Sequence, residues 1–220
     1  MYKLPKEYWS LDFETSGLPK DDDCSGVDFI EIGYCRVKDG AFVKDSAVQS
    51  FAKPSIMPLH PKITEITGIT DDMLKDAEPS LAVAEKTFKQ IVYSELPIVG
   101  YNIINFDRLF LDKYTNLLGW PKIADERYID AAALFKTYRK AHKNKSTEWE
   151  LPGAQKKFFT WAKSTLERSW TEDKIKYNLD AAVGYLAIPL FGIEYSRHRA
   201  IYDTILTSKV LEILREEMSL

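Results

Sequence analysis

The chain has 220 residues, 45% hydrophobic and 29% charged, with a formal net charge of −3. Those proportions describe one folded globular domain and exclude a disordered chain. Apolar runs fall short of the ~20 residues of a membrane helix, residues 1–10 carry no apolar export signal, and Cys24 and Cys35 are too few for a disulfide scaffold or zinc site. A cytoplasmic protein with no membrane partner is expected.

In chain order, residues 8–14 alternate and are rich in aromatics, predicting a strand ended by Ser16-Gly17 and Pro19. Residues 21–26 read as a loop. Residues 29–37 and 41–51 flank Lys38-Asp39-Gly40, a hairpin signal with Asp-Gly at the turn. Pro54, Pro58 and Pro61 interrupt regular structure, and 61–68 can form a short helix closed by Gly68. Residues 80–93 carry helical periodicity, 96–101 return to strand character, and 106–118 form an amphipathic helix ending at Gly119. A short strand at 128–129 leads through Asp130, a capping residue, into a helix from Ala131. Helices are predicted again at 179–191 and 199–218. Strands first and strand–helix alternation afterwards predict an α/β domain, a mixed sheet of about five strands flanked by helices. A single domain over 1–220 is expected, with an insertion at about 136–176.

Charge is uneven along the chain. Residues 1–135 hold 15 basic and 22 acidic side chains, whereas 136–177 hold 11 basic and 5 acidic ones. That basic segment also contains Trp149, Trp161, Trp170, Tyr138, Phe158, Phe159 and Tyr177. Basic residues interleaved with aromatics suit a single nucleic-acid strand, and they equally suit helices whose rings are core. Sequence leaves both readings open, with core packing favoured for Phe158 and Trp161.

Asp12 and Glu14 stand two apart on a strand, so both face one way while Leu11 and Phe13 face the other. Two such anions repel, and a hard divalent cation is the usual answer. The same spacing at Asp76 and Glu78 lies in a Pro-flanked linker and reads as solvated. Asp107 opens a helix, where the helix dipole favours an anion and ordinary capping would suffice. Asn102 is turn material in isolation. Asp203 shares the inward stripe of the last helix with Leu206, Thr207, Val210 and Leu214, a costly place for an unpaired carboxylate. His198 lies five residues earlier, and His60 and His142 read as satisfied surface or core residues. Four carboxylates in one pocket would require two divalent ions, and such a pair clamps the attacking and leaving oxygens of phosphoryl transfer.

Asp12-Phe13-Glu14-Thr15-Ser16-Gly17, Gly100-Tyr101-Asn102 through Phe106-Asp107, and His198-Arg199-Ala200-Ile201-Tyr202-Asp203 resemble the three motifs of the DnaQ-like DEDDh exonuclease family. The last motif resembles its exodeoxyribonuclease X branch. The resemblance covers nearly everything outside the insertion. It implies a ribonuclease H-like fold and a 3′→5′ exonuclease releasing nucleoside 5′-monophosphates with two Mg²⁺ or Mn²⁺ ions. On this likeness Asp12, Glu14, Asp107 and Asp203 are metal ligands, and His198 is the general base. Phe13, Thr15 and Leu18 seat the terminal nucleotide, with Ile66, Ile69 and Asn102 as further substrate contacts. Glu31 has a counterpart in the family but no assigned chemistry. A single-stranded DNA 3′ end is the favoured partner and RNA the alternative, while a polymerase or homodimer partner stays open. The competing class is a non-catalytic nucleic-acid-binding module, which loss of any ligand would favour. The chain has no Walker loop, Gly-x-Gly pair or Gly-x-Ser-x-Gly elbow to support other chemistries.

Overall fold

Two long strands, β1 (Glu7–Thr15) and β2 (Phe29–Lys38), make the centre of the fold. The computed structural model describes residues 3–20, 23–153, 157–167, 175–190 and 198–220. β1 and β2 pair antiparallel from Glu7 opposite Lys38 to Thr15 opposite Phe29, with a shift of register between Glu14 and Thr15. That bulge leaves Ile30 without an opposite residue, and Ile30 is buried in a small second core with Leu59, Ile69 and Leu74.

β5 (Ile98–Gly100) lies parallel to β1, and β6 (Tyr128–Asp130) parallel to β5. On the other flank β3 (Ala41–Phe42) and β4 (Val48–Phe51) both pair with β2, which makes a six-stranded mixed sheet among the described residues. The sequence predicts one strand over 41–51, and the structure divides it. Ser46 Oγ accepts from the Arg36 N–H at 3.0 Å and donates to the Val43 carbonyl at 2.7 Å, while Asp45 takes φ 60. These bonds replace ladder pairing between the two short strands. The turn itself follows the sequence: Asp39 and Gly40 have φ 48 and 76.

Short helices α1 (Pro61–Thr67) and α2 (Asp71–Leu74) follow, α1 closed by Gly68 at φ 69. The predicted 80–93 helix is divided into α3 (Ser80–Thr87) and α4 (Lys89–Val92) at the buried Phe88. The Arg127 guanidinium donates to the carbonyls of Ile91, Val92 and Leu96, satisfying acceptors that the end of α4 leaves open. α5 (Asp107–Leu117), α6 (Ala131–Lys143), α7 (Phe158–Glu167), α8 (Leu179–Tyr185) and α9 (Ala200–Glu217) complete the described helices. α8 stops short of the predicted end, where Ala187 adopts φ 51 ahead of Pro189. Asp21, Asp22, Lys156, Trp170 and Phe191, which the sequence assigns to a loop, the insertion and a helix end, lie outside the described residues. No helix among the described residues is long and apolar enough to cross a membrane.

The sheet is covered on both faces. The Phe13 ring meets Phe29, Phe88 and Phe110 at centroid distances of 5.2, 5.5 and 6.1 Å, so α3 to α5 cover one side. Burying each such ring contributes about 1.5–3 kcal/mol. α9 covers the other side: Tyr8 Oη donates to Glu212 Oε1 and Ser10 Oγ to the Thr204 carbonyl, both at 3.0 Å. Tyr8, Ser10, Asp12 and Glu14 therefore form one line beneath α9, leading to its N-terminus.

Candidate active site

Asp12 stands opposite Gly33 in the β1–β2 register, and Glu14 stands opposite Glu31. Gly33 lets α9 come down onto the sheet. A Cβ there would lie 2.3 Å from the Ile201 nitrogen and 2.4 Å from the Ala200 carbonyl carbon, so backbone meets backbone. Thr204 Oγ1 shares its hydrogen between the Ala200 carbonyl at 2.7 Å and the Gly33 carbonyl at 3.0 Å, at the crossing of helix and strand. The first turn of α9 is thereby held over the acidic end of β1. Asp203 lies in that turn, at the positive end of the helix dipole. His198 precedes the helix with φ 57. One ligand atom each from Glu14, His198 and Asp203 lie within 4.8 Å of one another.

Asp107 arrives from the other side of β1. It is the first residue of α5, and its Oδ1 accepts the Phe13 N–H at 3.0 Å. β5 pairs with β1 only at Trp9 and Ser10, so Asp107 takes a strand donor that no neighbouring strand reaches. The loop before α5 is shaped by Asp130, which caps α6. One carboxylate accepts from the N–H groups of Asn102, Ile104, Ala132 and Ala133 at 3.0–3.3 Å. Asn102 takes φ 64 in this loop.

The electrostatics show that these groups share a site. Burial first, and then the charges of Asp107, Asp203, Glu14 and Glu31, push the Asp12 carboxyl well above the usual carboxylate range. Burial, Asp203, Glu31 and Asp107 push Glu14 up to about 9, against a smaller opposing effect of Arg199. Burial raises Asp107 to about 8, opposed by the bond from Phe13. Carboxylates that repel each other this strongly retain protons near neutral pH unless another cation takes the protons' place. Carboxylate oxygens joined by an imidazole, Glu14 buried and Asp12, His198 and Asp203 half-buried, fit a hard divalent cation, which Asp12, Glu14 and Asp203 could hold with Asp107 beside them.

The remaining sequence-predicted residues divide. Leu18 is 78% exposed and Ile66 45% exposed, both free to meet a ligand. Thr15 is buried, its Oγ1 donating to the Gly17 carbonyl at 2.8 Å, and Asn102 is half-buried. Phe13 is core, and its N–H is engaged by Asp107, which leaves its ring no surface and its nitrogen no free hydrogen for the terminal nucleotide. Ile69 corrects the sequence expectation. It is 0% exposed in the second core, with no surface to offer a base. His60 caps α1 through Nδ1, and His142 packs among Tyr138, Trp149 and Tyr185.

Sequence reasoning gave Glu31 no role, yet it is the most elaborately bonded carboxylate beside the site. Arg199 donates to both of its oxygens, with bonds of 2.7–3.1 Å. The available signal was a charged residue on the inward face of an apolar strand.

The exonuclease family (RNase_T) matches residues 10–211. Among solved structures, exonuclease X in complex with 5′-overhanging duplex DNA superposes with a TM-score of 0.60 at 21% identity, covering 97% of this chain and 93% of that one. E. coli exonuclease I in complex with a dT13 oligonucleotide gives a TM-score of 0.69 at 15% identity, covering 98% of this chain and 42% of that one. These likenesses show the fold. The PolC-type DNA polymerase III of Bacillus subtilis (strain 168) is 36% identical over 112 residues, 50% of this chain and 7% of the polymerase. The chain thus spans a small fraction of the curated relatives it matches. With the family match spanning the acidic strand, the α5 aspartate and the His–Asp helix, the chain belongs to the RNase_T exonuclease family and is of the DnaQ-like DEDDh type, whose members are 3′→5′ exonucleases.

Proposed function

We propose that this protein hydrolyses the terminal phosphodiester bond at the 3′ end of single-stranded DNA, releasing nucleoside 5′-monophosphates. The reading is carried by the convergence of Glu14, His198 and Asp203 within 4.8 Å at the mouth of β1. Asp12, Glu14 and Asp203 would hold divalent cations, Mg²⁺ or Mn²⁺, with Asp107 supporting the second of two. When bound, the cations supply positive charge at the scissile phosphate.

The chain's own groups do the rest. His198, half-buried and outside the helix, accepts the proton of the attacking water, a role that imidazole side chains fill most often. Leu18 and Ile66 offer apolar surface to the terminal nucleotide, while Thr15 and Asn102 line its approach. DNA is favoured because exonuclease X and exonuclease I are seen with DNA bound.

The test uses DNA and RNA oligonucleotides labelled at either end, with Mg²⁺, with Mn²⁺ and with EDTA. Stepwise shortening of 5′-labelled single-stranded DNA, abolished by EDTA and by Asp203→Ala in a folded protein, is expected. Equal activity of the Asp203→Ala variant would remove the metal assignment, and faster trimming of RNA would reassign the substrate.

A further inference from the structure

Glu31 has no solvent exposure and directly faces Glu14 across the two central strands. A second buried carboxylate there adds to the repulsion on Glu14 and Asp12. It is nevertheless fully engaged. The Arg199 Nε donates to both oxygens at 3.1 and 3.0 Å, and Nη2 to Oε1 at 2.7 Å. The Ala200 N–H reaches Oε2 at 3.2 Å, and Gln49 Nε2 reaches Oε1 at 2.6 Å. The guanidinium carbon lies 4.9 Å from the centre of the Phe51 ring, so a stacking surface supports the fork.

Stability alone does not explain this arrangement. A buried ion pair is often no better for stability than apolar side chains of the same volume, because desolvation offsets the attraction. What a bidentate pair contributes is fixed geometry. Arg199 is the N-cap of α9, the residue between His198 and the helix that carries Asp203. His198 sits at φ 57, a backbone conformation that its surroundings must hold. The fork and the Ala200 N–H tie this junction to β2, the strand adjoining Glu14.

We propose that Glu31 is a positioning residue for hydrolysis, acting through Arg199 to set how His198 and Asp203 face Glu14. This rests on the reading of the site as hydrolytic. Glu31 touches neither substrate nor cation. Its contribution is to hold the histidine and the helix start where the reacting water can be served, and a misplacement of about 1 Å suffices to lower turnover about 10²-fold.

The experiment compares wild type, Glu31→Gln, Arg199→Lys and the double variant. It measures kcat and KM on single-stranded DNA, thermal unfolding, and the His198 ring resonances of ¹⁵N-histidine-labelled metal-free protein. Glu31→Gln keeps the shape and removes the charge; Arg199→Lys keeps the charge and removes the fork. Each single variant is expected to lower kcat about 10–10²-fold with KM changed less than about threefold, and the double to fall no further than the worse single. The His198 signals should shift in both single variants without metal. Multiplying losses in the double variant, an unmoved His198 signal, or a loss explained by the unfolded fraction would each overturn the proposal. An inactive wild type would instead overturn the hydrolytic reading itself, while the His198 resonances would still report whether the coupling exists.

Discussion

Glu14 and Glu31 are the same residue type on facing positions of one sheet, and their partners separate them. Glu31 meets an arginine fork, whereas Glu14 meets other carboxylates and a histidine. The consequence for stability has a definite sign. Folding raises the pKa of Glu14 to about 9, Asp107 to about 8 and Asp130 to about 6, so between pH 4 and 9 the native state binds more protons than the unfolded chain. Stability of the metal-free protein therefore falls as pH rises through that window. Asp28, lowered to about 2 by Lys113, Ser55 and Tyr114 against the effect of its burial, acts oppositely but only below about pH 4. Thermal melts in EDTA should show the transition temperature dropping from pH 5 to pH 9, with Mn²⁺ restoring more of it at pH 9 than at pH 5. A flat profile would show that folding does not raise these carboxyl groups.

His198 can also be tested at this scale. His198→Ala should lower kcat about 10²–10⁴-fold, the range for losing a general base, with the Mn²⁺ midpoint of activation shifted only modestly. Because its ring lies within 4.8 Å of Glu14 and Asp203 ligand atoms, a large shift of that midpoint would make it a ligand instead.

At the scale of elements, the decisive contact is α9 against β2. Gly33 and Gly119 make an instructive pair. At Gly119 nothing lies within 4 Å of an added Cβ, so Gly119→Ala meets only the strain of φ 66, about 1–2 kcal/mol. At Gly33 the added atom meets helix backbone at 2.3 Å, and backbone cannot rotate away. Gly33→Ala should destabilise by about 3 kcal/mol or more in denaturant titrations, beyond the usual effect of core overpacking. It should also abolish turnover in the fraction that remains folded, since Asp203 rides on the displaced helix and His198 immediately precedes it. A folded, active variant would show that the crossing is softer than its geometry implies.

At the scale of the whole molecule, the 136–176 insertion remains a proposed strand-binding element. Its described aromatic rings are chiefly packing groups: Phe158 is fully buried, Trp149 stacks on Tyr138 at 5.4 Å, and Trp161 donates to the Glu150 carbonyl. Among its described residues it presents charge of both signs to solvent, Lys143, Lys145, Lys157 and Lys176 beside Glu148, Glu150 and Glu167. Electrostatic contact with phosphates is the contribution this surface can make. Neutralising those four lysines should raise KM and flatten its salt dependence while leaving kcat in place, and an unchanged salt slope would confine the insertion to packing.

Much of this was legible in one dimension because it depends on local rules. Alternation placed Asp12 and Glu14 on one face, Asp-Gly marked the hairpin turn, Gly68 ended α1, and Asp130 capped α6. Helical spacing put Asp203 on the stripe of Leu206, Val210 and Leu214, all three buried. Only the tertiary structure could decide which distant groups face one another. The Glu31–Arg199 fork spans 168 residues of chain, and the Asp107–Phe13 bond spans 94. Ile69, named through the family resemblance as a substrate contact, is instead buried in a second core with Ile30, Leu59 and Leu74. Local periodicity records where a side chain points, while its partner is set by how elements cross, and here that crossing depended on a glycine small enough to let a helix touch a strand.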